Sequence, residues 1–113
     1  MASKAVAGVG TRFRRWNTAL TPDAWQDMAE IVASMRHTKL EHFHFVLTRK
    51  GVVVGHKVIT SGLPDAVKIL DSHVADVLKM ADDLGADEIW DGHNHPGGNP
   101  TPSGDSHRMA LTG

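Results

Sequence analysis

The chain has 113 residues, 41% of them apolar and 22% charged, with a net charge of −1 and no cysteine. That describes one soluble domain with a modest core and excludes disulfides, thiolate metal sites and cysteine nucleophiles. The overall charge gives no general reason to expect nucleic acid as a partner, and no apolar run reaches the length of a membrane span.

In chain order, residues 1–20 read as a flexible basic arm, since Lys4, Arg12, Arg14 and Arg15 precede the first acid, Asp23. Basic and aromatic residues interleave in "TRFRRW", a pattern that suits nucleic-acid contact. Residues 21–113 form the expected domain. Thr21-Pro22-Asp23 supplies an N-cap, a proline at the first helical position and an early acid. Trp25, Met28, Ile31, Val32 and Met35 follow at helical spacing, which predicts a helix over 22–35. "LEHFHFVLT" and "VVVGHKVIT" are β-branched and aromatic runs joined by Arg49-Lys50-Gly51, a hairpin signal. In the first run Phe43, Phe45 and Leu47 point one way and His42, His44 and Val46 the other. His42, His44 and His56 therefore read as packed or polar-face histidines.

A second helix is predicted to begin at Asp71 or Ser72, to carry Val74, Val77, Leu78, Ala81 and Leu84 on its apolar face, and to stop at Gly85. The stretch from Asp71 to Asp91 holds seven acids and Lys79 as its one lysine or arginine. "DEIWDGHNH" reads as a strand, in which Trp90 is a packing residue, and Ser103 as the cap of a last helix. The order is helix, hairpin, helix, strand and loop, a mixed α/β (α+β) domain.

The chemistry sits in "HNHPGGNPTPSGDSH", residues 93–107. On a strand His93 and His95 face the same side and can present two imidazoles to one point. That suits a zinc ion held by three nitrogen or oxygen ligands with a fourth position open. The prolines and glycines that follow restrict the loop and allow a tight return past that point.

"HNHPGGNPTPS" resembles the JAMM (MPN+) metalloprotease signature, in particular its RadC-like branch, and the likeness runs from about Leu40 to Thr112. The family pattern is His-x-His, seven residues, Ser, two residues, Asp, with a glutamate far upstream. The resemblance implies an MPN/JAB-like fold, a mixed central sheet with flanking helices, and a zinc (Zn2+) cofactor. It further implies that His93 and His95 are metal ligands and that Ser103 hydrogen-bonds the oxygen that becomes negative in the tetrahedral intermediate. Glu41 matches the upstream glutamate, which takes a proton from the zinc-bound water and returns one to the leaving amine. Together these imply hydrolysis of a peptide or isopeptide bond in a protein substrate. RadC-like proteins are associated by name with DNA repair.

One position departs from the pattern. The third ligand belongs at position 106, which is Ser106, and Asp105 stands one place early. Three arrangements remain open: a local adjustment brings Asp105 onto the metal, His107 replaces it, or two histidines remain as a weak site. Asp105 is the first choice. The competing class is an MPN-like binding module, for protein or DNA, that has lost its activity. The family also continues past the point where this sequence ends, so a truncated domain and a homodimer that covers an open sheet edge are both expected. A cytoplasmic address is the default.

Overall fold

A computed structural model describes residues 8–16, 21–33, 42–60, 69–93 and the backbone of 107–110. Its elements are α1 (Pro22–Ala33), β1 (His42–Arg49), β2 (Val52–Thr60), α2 (Asp71–Leu84), β3 (Glu88–His93) and β4 (His107–Ala110). The strands form one sheet in the order β2-β1-β3-β4, and each described pairing is antiparallel. Helices lie on both faces, so the domain is α+β.

Local chemistry accounts for the helix ends. The Thr21 hydroxyl accepts the Ala24 N–H at 3.3 Å, and the Thr21 carbonyl accepts the Trp25 N–H, which starts α1 at Pro22. At the far end of α2, Gly85 takes the left-handed conformation at φ 69°. The Ala86 N–H then reaches back to the Ala81 carbonyl at 2.8 Å, the six-residue closure of a Schellman turn. Residues 34–35, also expected in α1, lie outside the described residues.

β1 and β2 are joined by a two-residue turn, with Lys50 and Gly51 at φ 49° and 78°. Positive φ at both central positions is the signature of the turn that matches the twist of a hairpin. Past the turn the register slips, with Thr48 opposite Val53 but Leu47 opposite Gly55. Val54 is therefore a bulge residue. The bulge lets Val53 and His56, three residues apart, face the same side of the sheet.

That side packs against α1 around Phe13, Ala24, Met28, Ile31, Val46, Val53 and Trp90. Trp90 is its centre: Phe13 tilts against it at 4.7 Å between ring centroids, and Trp25 meets it edge-on at 5.3 Å. The other side packs against α2 through Phe45, Leu47, Ile59, Val77, Ala81 and Ile89.

Three expectations are corrected here. The basic segment is not an arm from Gly8 to Trp16. The Phe13 side chain is buried, Gly10 and Thr11 hydrogen-bond to Val53, and Phe13 bonds to Gly51. The Arg14 guanidinium pairs with Asp27 at 2.6 Å, and Arg15 pairs with Asp23 at 3.2 Å. Two acids of α1 thus draw the segment onto the domain. The last helix is also absent over His107–Ala110, which forms strand β4 against Glu88–Asp91. The ladder satisfies backbone groups along that edge of β3, and this tertiary pairing overrides local helix preference. Finally, the apolar face of α2 divides. Val77 and Ala81 are buried, but Val74, Leu78 and Leu84 are exposed.

Candidate metal-binding strand end

β3 delivers its last described residue, His93, to the end of the sheet. The β1–β3 register sets His93 opposite Phe43 and Asp91 opposite Phe45, so His93 and Asp91 share the α2 side. Their two rings stack: the Phe43 and His93 centroids are 5.8 Å apart, with planes 14° from parallel. Phe43 in turn leans on Phe45 at 5.0 Å. The imidazole is half-buried, with one face against an aromatic wall.

The opposite side of the sheet carries a second histidine group. His44 is fully buried, and its Nδ1 lies 2.9 Å from Nε2 of His56, a hydrogen bond in which one ring donates and the other accepts. The His42 ring is edge-on to His44 at 6.4 Å. Burial first, and then the neighbouring imidazoles of His56, His42 and His93, push the pKa of His44 down to about 3. His44 is neutral at physiological pH. These are packed histidines, in keeping with their place in the strand pattern.

Of the expected site residues, only His93 lies among the described residues. Glu41, His95, Ser103 and Asp105 lie outside them, as do Ser106 and the side chain of His107. Among the described residues, no three His, Asp or Glu side chains gather to hold a metal ion. His93 fits a ligand role by its chemistry, as an imidazole with restricted orientation at a strand end. Sequence reasoning did not identify Phe43 as its neighbour. That contact depends on the register between two strands 50 residues apart, which no local pattern encodes.

Residues 22–112 match the family described as the RadC-like JAB domain. The chain belongs to this family. The RadC-like domain is also 38% identical over 71 residues to the UPF0758 protein SPO0054 of Ruegeria pomeroyi. That alignment covers 62% of this chain and 30% of the relative, so the chain spans less than a third of the length of the curated relative it matches. No solved structure matches it. Among the described residues, no helix is long and apolar enough to cross a membrane.

Proposed function

We propose that this RadC-like JAB domain is a zinc-dependent hydrolase of peptide or isopeptide bonds, working in the cytoplasm. The observation that carries the reading is the motif from His93 to Ser103 in a RadC-like JAB chain, which begins at the end of the β1–β3 register. The last described pair of that register is Phe43 and His93, on the α2 side of the sheet. The motif, with its upstream glutamate, supplies one acid and two imidazoles, although 52 residues separate Glu41 from His93 in the chain.

In this reading His93, His95 and Asp105 would hold the metal. Zinc, when bound, supplies the Lewis acidity that makes water a nucleophile near neutral pH. Glu41 would act as the proton carrier, taking a proton from the attacking water and giving one to the departing amine nitrogen. The Ser103 hydroxyl donates a hydrogen bond to the carbonyl oxygen as negative charge builds on it. Phe43 holds the plane of the His93 ring.

Ser106 at the expected ligand position favours a second reading, a binding module without hydrolytic activity. Metal content separates the two. Elemental mass spectrometry of the purified chain should find about one zinc per chain, lost in His95→Ala and in Asp105→Ala. Glu41→Gln should keep the metal and lose cleavage of an isopeptide-linked test substrate. A parent chain without zinc would establish the binding module. Full cleavage by Glu41→Gln would remove Glu41 as the proton carrier.

A further inference from the structure

Helix α2 buries Val77 and Ala81 against the sheet and leaves a second apolar row in water. Val74 and Leu78 stand one turn apart along one flank, 41% and 44% exposed, and Leu70, the extended N-cap residue one turn before Val74, is 48% exposed. Residues at that spacing are neighbours on a helix surface and form one ridge. The next residue in the row is Asp82, and Asp71 borders the ridge beside Leu78, two turns away.

Among the described residues of α2, the charges beside this ridge, Asp71 and Asp82, are of one sign. Lys79 is the helix's one lysine or arginine, and it is already paired with Asp83 at 3.1 Å. Among the described residues no cation pairs with Asp71, Asp76 or Asp82. Two acids, Asp82 and Asp83, also sit in the last turn of α2, which has no basic residue. A helix C-terminus carries partial negative charge, so acids there weaken the free helix. The ridge thus combines exposed apolar area with negative charge that the isolated domain does not use.

We propose that the Leu70–Val74–Leu78 ridge is a docking surface for a cationic amphipathic helix of a partner protein. An apolar stripe on the incoming helix covers the three side chains, and its lysines or arginines reach Asp71 and Asp82. A cation beside Asp82 also relieves the unfavourable charge at the end of α2. A second copy of the same helix fits poorly. A twofold pairing of α2 with α2 sets Asp71 of each copy near Asp82 of the other when antiparallel, or each acid near its own counterpart when parallel, so like charges face one another either way.

The test uses the full chain and two synthetic peptides of about 18 residues, long enough to hold helix on a surface. Both carry leucine at i, i+4, i+7 and i+11. One is flanked by lysines and the other by glutamates. The expected result by calorimetry is saturable one-to-one binding of the lysine peptide, weakened by at least about tenfold in Val74→Ser/Leu78→Ser. The glutamate peptide should bind far more weakly. Asp82→Asn should weaken the lysine peptide while raising the melting temperature, because it removes an acid from the helix end. Folding of each variant is checked by circular dichroism, and the exposed positions tolerate the changes. The proposal is overturned if the lysine peptide does not bind, if it binds the double variant equally, or if the glutamate peptide binds as well. It is equally overturned by a concentration-dependent dimer of the parent that the double variant abolishes, since the occupant would then be a second copy.

Discussion

Phe43 and His93 stack across the β1–β3 ladder, 5.8 Å apart and within 14° of parallel. The register makes this a directly opposed pair, so neither ring can turn without disturbing the other. In the proposed site Phe43 is a positioning residue for a metal ligand. Phe43→Leu should keep the fold, because leucine also packs against Phe45, but should weaken zinc affinity by about tenfold, the range of effects seen when groups that orient a ligand are removed. Phe43→Tyr should restore it. With cobalt in place of zinc, the absorption bands of Phe43→Leu should shift and those of Phe43→Tyr should not. Unchanged affinity and bands in Phe43→Leu would show that the stack is packing alone.

Asp27 and Arg14 make the second long-range contact on which the domain relies. The Asp27 carboxylate is buried and accepts from the Arg14 backbone N–H, from Nε at 2.7 Å and from Nη2 at 2.6 Å. Removing the acid leaves a buried cavity and frees the segment from Gly8 to Trp16. Asp27→Ala should lower the melting temperature by more than about 5 °C and open Arg14 and Arg15 to trypsin under native conditions. A variant that melts with the parent and resists trypsin equally would show that the segment is held by Phe13 alone.

Elements punctuated by local chemistry were legible in the sequence. Thr21-Pro22, Lys50-Gly51 and Gly85 each start, turn or stop the chain by their own backbone and side-chain preferences, and the structure places each where the pattern does. What depended on partners far along the chain was not. Asp27 looks like a surface acid until Arg14 is seen beside it, and His107–Ala110 becomes a strand only because β3 offers an edge. On α2, helical spacing could not say which half of the apolar residues meets the sheet. Within the candidate site, the motif named His93, while its aromatic wall was invisible without the register. Glu41, His95, Ser103 and Asp105 lie outside the described residues and rest on the motif.

Gly51 ties the hairpin turn to the N-terminal segment. Its φ is 78°, and a Cβ placed there would come within 2.7 Å of both Cβ and Cγ of Trp16. Gly51→Ala therefore meets backbone strain and a clash with a large side chain that cannot swing away cheaply. The expected loss is roughly 1–3 kcal/mol in urea denaturation, with an unchanged m-value. Trp16→Gly in the same background, which removes both contacting carbons, should recover the part due to the clash and not the part due to φ. Additive losses in the double variant would mean that the two residues do not meet in this way.

The buried pair of His44 and His56 gives the fold a pH dependence whose sign follows from burial. His44 titrates near 6.5 when exposed and at about 3 in the fold. Above pH 6.5 both states are neutral at this position and it makes no difference to stability. As pH falls through that value the unfolded chain takes up a proton that the folded chain refuses, and stability drops by about 1.4 kcal/mol per pH unit until the folded value is reached. At pH 5 the loss from this residue is roughly 2 kcal/mol. His44→Leu cannot bind that proton in either state, so its stability between pH 6.5 and pH 5, taken from urea curves, should fall less steeply than the parent's by about this amount. His42 and His56 lie beside the same ring, so the difference in slope between parent and variant, not the absolute stability, is the quantity to compare. Parallel pH profiles for parent and variant would mean that His44 takes up its proton in the fold at an ordinary pH.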